Sequence, residues 1–364
     1  MKYLSRRSFL AGAFTAGVAL AGWGLAGCSA AQTGSASASA SASGALAASS
    51  GSAATSGASS EPAAASSAAS SMNAASAGAS SEASVAAEAT SAGPAFNLAK
   101  RTVLLNNGIE MPVLGLGTFI LSNAQAEESV YAALMAGTRL IDTARIYGNE
   151  SGVGRGIARA GVPRDEVFLT TKLWTDDFSN AAAAIDASLQ NLGQDYVDLM
   201  LLHHEHAHDE EAYHAMEDAV AAGKIRAIGI SNFYEDGIAR MAQAANIAPA
   251  VLQNETHPYY QERGPKAAAA ESGTVLESWF PLGGKQDCHT LFADPTIAQV
   301  AANHGITPAQ AIIRWHLQSG NICIPGSSNP DHIQEDAHVW SFELADDEMA
   351  AINALEQGKR LAWY

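Results

Sequence analysis

The sequence is poor in cysteine and in positive charge. Its 364 residues include three cysteines, Cys28, Cys288 and Cys323, too few for a fold built on disulfides. A Cys288–Cys323 bridge is one arrangement, but we expect two unlinked thiols. Lys and Arg total 20 against 37 Asp and Glu, a formal net charge of -17. The chain therefore lacks the general positive charge that binds nucleic acid.

The sequence also offers little support for a membrane span at its start. The apolar run from Phe9 to Leu25 is short and interrupted by glycine. It follows "SRRSFL", and a basic block before an apolar run is typical of a signal peptide. The paired arginines resemble a twin-arginine export signal, and "LAGC" resembles a lipobox whose Cys28 is lipidated. An ordinary secretory signal with an incidental cysteine is the alternative.

These patterns predict an exported protein with three parts. Residues 1–28 form the signal, and a lipid on Cys28 would anchor the chain to the outer face of the cytoplasmic membrane. Residues 29–95 are almost entirely Ser, Ala, Gly and Thr, which bury too little apolar surface to fold, so we expect a flexible linker. Residues 96–364 form the folded domain.

Short apolar runs alternate with longer helical patterns throughout the folded part. "RTVLLNNGIEMPVL" predicts a two-residue hairpin at Asn107-Gly108. Predicted helix N-caps are Asn123, Asn180, Asp209 and Thr307. Strand-like runs lie at 113–118, 139–142, 167–172, 197–203, 225–231, 251–255, 275–280 and 322–325.

Eight alternating strand and helix units in about 260 residues predict an α/β fold, a (β/α)8 TIM barrel preceded by a β-hairpin. An open doubly wound sheet is the alternative. It should carry a glycine-rich fingerprint after its first strand, but "GLGTF" is followed by no such helix start.

Four polar residues follow neighbouring predicted strands. Asp142, Lys172 and His203 end the second, third and fourth strands, and Tyr147 lies in the loop after the second. Since strand ends and the loops after them form the active face of a barrel, we expect the four side chains to converge. Such a set suits proton transfer to a carbonyl oxygen: Lys172, kept charged by Asp142, would favour ionisation of Tyr147, and His203 would orient the carbonyl. Reduction also requires a hydride, which implies a nicotinamide cofactor.

The folded part resembles the aldo-keto reductase superfamily, the branch acting on small aldehydes and diketogluconate. The resemblance rests on eight stretches in the family's order: "MPVLGLGTF", "LIDTARIYGNE", "TTKLW", "DYVDLMLLHH", "GKIRAIGISNF", "HPYYQ", "ESWFPLGG" and "IPGSSNPDHIQED". It implies a catalytic tetrad of Asp142, Tyr147, Lys172 and His203, with Tyr147 as the acid. It also implies reduction of aldehydes or ketones, or the reverse oxidation, with NADP(H) as the favoured cofactor and NAD(H) as an alternative.

The resemblance assigns residues to the cofactor and the substrate as well. Cofactor contacts are implied for Thr118, Ser231, Asn232, Gln253, Trp279, Leu282, Gly283, Ser327, Ser328, His332, Glu335 and Asp336. Substrate contacts are implied for Phe119, Trp174 and His203. Relatives selective for NADPH carry a lysine and an arginine where this chain has Gly326 and His332, which weakens the expectation of strict NADPH selectivity. The short C-terminal tail "GKRLAWY" favours small or medium carbonyl substrates, and we expect a monomer.

Three further interpretations follow from the same sequence. The histidine-rich stretch 203–211, "HHEHAHDEE", is consistent with a metal site and hence a metal-dependent hydrolase, although a solvated loop is expected instead. A barrel that binds nicotinamide without turnover would be a sensor, but a sensor has no need of the acid Tyr147. Regeneration of the cofactor outside the cytoplasm is a further question: an exported reductase would use an unknown redox partner, or it would act as the alcohol-oxidising half of a cycle.

Overall fold

The computed structural model describes residues 95–362 of the chain. Strands are β1 (Ala95–Asn97), β2 (Thr102–Leu104), β3 (Glu110–Pro112), β4 (Gly115–Gly117), β5 (Leu140–Asp142), β6 (Phe168–Leu173), β7 (Val197–Leu202), β8 (Ile225–Ser231), β9 (Val251–Glu255), β10 (Val275–Trp279) and β11 (Ile322–Cys323). Helices are α1 (Asn123–Met135), α2 (Glu150–Ala160), α3 (Ala181–Leu192), α4 (Asp209–Ala221), α5 (Glu235–Ala244), α6 (Arg263–Ala270), α7 (Gly284–Phe292), α8 (Pro295–His304), α9 (Pro308–Gln318), α10 (Pro330–Ala337) and α11 (Asp346–Asn353). Short 3₁₀ turns span Arg145–Tyr147, Arg164–Glu166 and Thr175–Asn180.

Strands β4 to β11 form one parallel sheet in chain order, which curls into a barrel. The first and last strands meet where Leu114 pairs in parallel with Cys323 and where the Gly117 N–H donates to the Pro325 carbonyl at 3.0 Å. A side chain at Gly117 would place its Cβ 2.9 Å from the Ile324 carbonyl oxygen, so glycine permits this close approach. The predicted (β/α)8 fold is confirmed, and each predicted strand is present with ends shifted by at most two residues.

A three-stranded antiparallel sheet, β1 to β3, precedes the barrel. The predicted hairpin joins β2 to β3, but its loop has three residues instead of two: the Leu105 N–H donates to the Ile109 carbonyl at 2.9 Å, and Gly108 takes φ 82. Three-residue hairpin loops usually end in a left-handed residue such as glycine, which forms a β-bulge with the strand that follows. The hairpin side chains Val103, Leu105 and Met111 are buried with the barrel's interior apolar residues. They close one end of the barrel and leave the other end for chemistry.

The helix starts differ in two places from the predicted caps. Thr307 caps α9 and Asn180 occupies the cap position of α3, as predicted. The cap of α1 is Ser122, and that of α4 is His208, so Asn123 and Asp209 are the first helical residues instead. The Asn123 side chain joins α1 to α2, because it accepts from the Gly152 N–H at 2.8 Å and donates to the Gly148 carbonyl at 2.8 Å. This contact fixes the segment that carries Tyr147.

Cys288 and Cys323 are unlinked thiols, as expected. Cys323 is buried on β11, and Cys288 is partly exposed on α7. Cys28 lies outside the described residues. Between residues 95 and 362, no helix has both the length and the apolar character needed to cross a bilayer.

Candidate active site

Four side chains meet at the carboxyl ends of β5, β6 and β7. The Lys172 ammonium lies 2.7 Å from Asp142 Oδ1 and 2.9 Å from the Thr143 carbonyl oxygen. The Tyr147 hydroxyl lies 3.5 Å from Lys172 Nζ. The centroids of the Tyr147 and His203 rings are 5.6 Å apart, with the rings edge to face. The structure therefore brings together the four residues that strand order predicted to be neighbours.

Aromatic rings surround the Tyr147 hydroxyl and its histidine neighbour. The Phe119 ring centroid is 5.0 Å from that of Tyr147. Trp174 stands edge-on to His203 at 5.1 Å and to His204 at 5.3 Å. Phe119 thus packs against Tyr147 and Trp174 against His203, and their predicted substrate contacts stay a prediction.

The electrostatics of Tyr147 differ from the sequence expectation. Burial, and then the negative charges of Asp142 and Glu277, raise the pKa of Tyr147 well above its ordinary value. The prediction that the Lys172 ammonium would make the phenol unusually acidic is therefore wrong for this state. The main physical reason is that burial disfavours the charged phenolate. In addition, Lys172 is already paired with the buried carboxylate of Asp142.

His203 is buried and neutral. Burial, and then the positive charges near it, lower the pKa of His203 well below its ordinary value. Its Nδ1 atom is buried and has no hydrogen-bond partner within the described residues, and its main-chain oxygen accepts from Asn232 Nδ2 at 2.8 Å. A neutral imidazole has one N–H, so His203 can donate a hydrogen bond to a substrate oxygen without carrying charge.

The interior of the barrel contains a second carboxyl group beside Asp142, which sequence reasoning missed. Gln253 Nε2 donates both to Asp142 Oδ2 at 2.9 Å and to Glu277 Oε2 at 2.7 Å. Glu277 is 0% exposed. The available signal was a glutamate in the middle of the strand-like run "VLESW", since a charged residue is seldom fully buried without a partner.

The residues expected to hold the nicotinamide form a connected group at the ends of β8 and β10. Asn232 adopts φ 58 directly after β8. Its side chain donates to Ser231 Oγ at 3.0 Å and accepts from the Trp279 indole N–H at 3.1 Å. Trp279 is 8% exposed at the end of β10. An aromatic ring fixed beside amide and hydroxyl groups fits an aromatic carboxamide, so the donor set suits the predicted cofactor.

Three more predicted cofactor residues lie at neighbouring strand ends. Thr118 is buried after β4, and its hydroxyl donates to the Asp142 carbonyl at 2.9 Å, so it supports the strand that carries Asp142. Leu282 is buried. Gly283 and Gly284 are both left-handed, with φ 73 and φ 63, at the start of α7. Main-chain N–H groups at such a helix start can bind a phosphate.

The loop after β11 contains the remaining predicted cofactor residues. Ser327 Oγ accepts from the Asn329 N–H at 3.1 Å, Ser328 is exposed, and His332 is partly exposed on α10. Asn329 caps α10, so this loop also leads into a helix N-terminus. Neither Gly326 nor His332 supplies a permanent positive charge there.

Glu335 and Asp336 have contacts that tie α10 to the rest of the fold. Glu335 Oε1 accepts from the hydroxyl of Thr307, the cap of α9, at 2.6 Å. Asp336 is 6% exposed and lines a small cavity with Leu114 and Leu116. These contacts give both residues a packing role, and their predicted cofactor contacts stay a prediction.

The histidine-rich loop is organised by an arginine. Arg240 binds Glu205, Asp209 and Glu210 with N–O distances of 2.7 to 3.0 Å, and His208 pairs with Glu211 at 2.7 Å. The part of the chain that the structure describes contains no cluster of three or more His, Cys, Asp or Glu residues that could hold a metal ion. The hydrolase interpretation gains no support from this loop.

Glu255 attaches the C-terminal tail to the barrel end, a contact that no sequence pattern predicts. Glu255 Oε1 accepts from the main-chain N–H groups of Leu361 at 2.6 Å and Ala362 at 2.9 Å, and Oε2 lies 2.7 Å from Arg360 Nε. Leu361 packs into the apolar cluster that includes Trp279 and Leu282. The tail therefore packs beside Trp279 and Leu282, two of the residues predicted to contact the cofactor.

Comparisons with known proteins agree with this geometry. Residues 113–357 match the Aldo/keto reductase family. An aldo-keto reductase of Mycolicibacterium smegmatis is 43% identical over 264 residues, covering 71% of this chain and 94% of that protein. Morphine 6-dehydrogenase of Pseudomonas putida is 41% identical over 272 residues, covering 71% and 92%. The crystal structure of a Bombyx mori aldo-keto reductase in complex with NADP matches with a TM-score of 0.68 and 32% identity, covering 72% of this chain and 94% of that one.

Proposed function

The chain belongs to the aldo/keto reductase family of oxidoreductases, and on that premise we propose that it reduces aldehydes and ketones to alcohols, or catalyses the reverse oxidation, with Tyr147 as the general acid or base. The observation that carries the proposal is the contact of one buried ammonium, Lys172, with both Asp142 Oδ1 and the Tyr147 hydroxyl. A binding protein would gain nothing from burying this charge beside a phenol.

Proton transfer follows from the charges of these residues. The neutral phenol of Tyr147 donates its proton to the substrate oxygen, and the phenolate that forms lies beside the Lys172 ammonium. Because the resting phenol is a weak acid in this environment, the developing charge on the substrate oxygen must also be stabilised. The neutral imidazole of His203 supplies an N–H donor for that purpose.

A bound nicotinamide cofactor supplies the hydride for this reaction. Ser231, Asn232 and Gln253 would hold its carboxamide, and Trp279 would cover one ring face. Leu282, Gly283 and the start of α7 would lie along the pyrophosphate. NADP(H) is the favoured cofactor, which the NADP complex of the Bombyx mori relative supports. Ser327 and Ser328 can bind a 2′-phosphate through their hydroxyl groups. Because the lysine and arginine of NADPH-selective relatives are replaced by Gly326 and His332, use of NAD(H) is also proposed.

Phe119, Trp174 and His203 would contact the substrate. The apolar surfaces of Phe119 and Trp174 suit a small or medium aldehyde or ketone. The relationship to morphine 6-dehydrogenase favours including a polycyclic secondary alcohol and the oxidative direction among the substrates tested.

The test is turnover by the full-length chain with NADPH and NADH over a panel of aldehydes, ketones and alcohols. We expect steady reduction of at least one carbonyl class, and loss of turnover by at least about 10²-fold in Tyr147→Phe with cofactor affinity retained. Wild-type protein that binds either cofactor without turnover on the whole panel would instead support the sensor. Stoichiometric zinc at the histidine-rich stretch 203–211, together with enzyme activity that is lost on chelation, would support the hydrolase.

We also propose that residues 1–28 direct twin-arginine export and that Cys28 carries a lipid, with the predicted linker ending before Ala95, where β1 begins. The support is the order of the "SRRSFL" and "LAGC" motifs around an apolar run. Expression of the full chain with Arg6→Lys and Arg7→Lys should keep the protein inside the cell. Cys28→Ala should abolish incorporation of labelled fatty acid, and unchanged labelling would contradict the anchor.

A further inference from the structure

Two carboxyl groups share one amide nitrogen inside the barrel. Gln253 Nε2 bridges Asp142 Oδ2 and Glu277 Oε2 at 2.9 Å and 2.7 Å. Parallel pairing places Gln253 directly opposite Glu277 on β9 and β10, so the bridge is built into the strand register. A continuous set of contacts therefore leads from the Tyr147 hydroxyl through Lys172, Asp142 and Gln253 to Glu277.

This network contains two acids and one cation. Lys172 is in direct contact with Asp142, which leaves Glu277 without an adjacent positive charge in the network. Glu277 is fully buried, and its Oε1 atom has no hydrogen-bond partner in the described part of the chain. An ionised carboxylate with an unpaired buried oxygen is costly, so Glu277 holds a proton at neutral pH.

The groups that face Glu277 come from four elements. They are Asp142 on β5, Tyr147 in the turn after β5, Lys172 on β6 and Cys323 on β11. Burial, followed by the charge of Asp142, raises the pKa of Glu277 to about 8, against smaller opposing effects of Gln253 and Lys172. Ionisation of Glu277 therefore falls within the pH range of an ordinary assay.

We propose that Glu277 is a positioning residue whose proton controls how readily Tyr147 donates its own, an inference that rests on the proposed function. With Glu277 protonated, the interior charges of Lys172 and Asp142 balance, and the Tyr147 phenolate can form beside Lys172. When Glu277 releases its proton to solvent, the remaining negative charge opposes phenolate formation. Carbonyl reduction should then slow as the pH rises.

The kinetic test compares full-length wild type with Glu277→Gln, which keeps the size and the acceptor for Gln253 but cannot ionise. Reduction is measured from about pH 6 to about pH 10. We expect the midpoint of the alkaline decline in kcat to move up by at least about one pH unit in Glu277→Gln. Glu277→Asp, which can still ionise, should show an alkaline decline in kcat as wild type does. The matched control is Glu150→Gln: Glu150 is also buried but contacts Thr171 and Asn191 instead of this network, so the midpoint should not move.

A second measurement needs neither cofactor nor turnover. Because Glu277 has a raised pKa in the folded protein, folding takes up a proton, and stability falls as pH rises from its unfolded to its folded pKa. The free energy of unfolding of the full chain is measured with urea at several pH values. In Glu277→Gln its fall with pH should be smaller than in wild type by up to about 1.4 kcal/mol per pH unit.

Identical midpoints and identical unfolding slopes for wild type and Glu277→Gln would overturn the inference. So would a uniform loss of kcat at every pH in Glu277→Gln with no change in midpoint, because that pattern indicates packing alone. If wild type reduces no carbonyl with either cofactor, the proposed function fails, while the unfolding slopes still decide whether Glu277 holds a proton.

Discussion

The indole N–H of Trp279 donates to Asn232 Oδ1 at 3.1 Å, and the same amide donates to the main-chain oxygen of His203 at 2.8 Å. One side chain thus connects the aromatic ring proposed to cover the nicotinamide with the segment that carries His203, the histidine proposed to donate a hydrogen bond to the substrate oxygen. We therefore expect Asn232 to couple binding of the cofactor to orientation of the substrate.

Replacement of Asn232 should weaken cofactor binding. Asn232→Gly tolerates the positive φ of this position but removes the acceptor for Trp279, and we expect a Kd for NADPH at least about tenfold higher, equivalent to about 1.4 kcal/mol. Titration of tryptophan fluorescence measures this. Asn232→Asp keeps the acceptor and loses the donor to His203, so its larger defect should be in kcat. Equal Kd values for wild type and Asn232→Gly would contradict the assigned role.

Removal of the Lys172 charge should separate catalysis from stability. Lys172→Met leaves Asp142 as an unpaired buried carboxylate, so we expect the free energy of unfolding to fall by about 3–5 kcal/mol and kcat to fall by about 10²- to 10⁴-fold. Adding Asp142→Asn to that variant removes the orphaned charge. Urea unfolding should then recover part of the lost stability while kcat stays low. A double variant as unstable as the single one would argue against the ion pair.

His332→Arg should strengthen selection for NADPH over NADH. The change supplies a permanent charge beside the serines proposed to bind the 2′-phosphate, whereas Gly326 is left alone because a Cβ there would lie 3.0 Å from the Gly117 carbonyl oxygen. We expect the ratio of Kd values to change by about tenfold at low salt and by less at high salt. His332→Gln is the uncharged control. A change of equal size for NADH would mean that the arginine does not reach the 2′-phosphate.

The Glu255 attachment of the tail should weaken in acid. Burial acts to raise the pKa of Glu255, but hydrogen bonds from His257, Arg360 and the main chain of Leu361 and Ala362 outweigh it and lower the pKa to about 2. A depressed folded pKa means that this stabilisation is present above the unfolded value and is lost as pH falls from there towards about 2, at up to about 1.4 kcal/mol per pH unit. The hydrogen-exchange protection factor of the Leu361 amide, which corrects for the pH dependence of intrinsic exchange, should fall across that range, and it should already be lower at neutral pH in Glu255→Gln. An unchanged protection factor in Glu255→Gln would contradict the proposed attachment.

The sequence alone was sufficient for the barrel and for the convergence of Asp142, Lys172 and His203. Both follow from local information: the alternation of strand and helix patterns fixes chain order around the barrel, and residues at the ends of consecutive strands must be neighbours. The three-residue loop at Gly108 was beyond that reasoning, because Asn-Gly is compatible with more than one hairpin loop.

The charge state of the site could not be predicted in the same way. The pKa of Tyr147 depends on burial and on Glu277, which lies far away in sequence and reaches the site through Gln253 on a different strand. The attachment of the tail to Glu255 likewise joins residues about a hundred positions apart. The local sequence around one of them does not indicate contact with the other. Charge states and contacts of this kind depend on residues that are brought together only by folding.

The pairing of Leu114 with Cys323 has a consequence for how the protein is made. The strand that completes the ring is the last of the eight to leave the ribosome, and it consists of two residues, Ile322 and Cys323. Until β11 is made, the edge strands β4 and β10 each expose unpaired main-chain N–H and C=O groups, which can hydrogen-bond to another chain. Synthesis must therefore pass Cys323 before the barrel can close. A nascent chain cut short ahead of Ile322 should aggregate instead of persisting as a smaller enzyme.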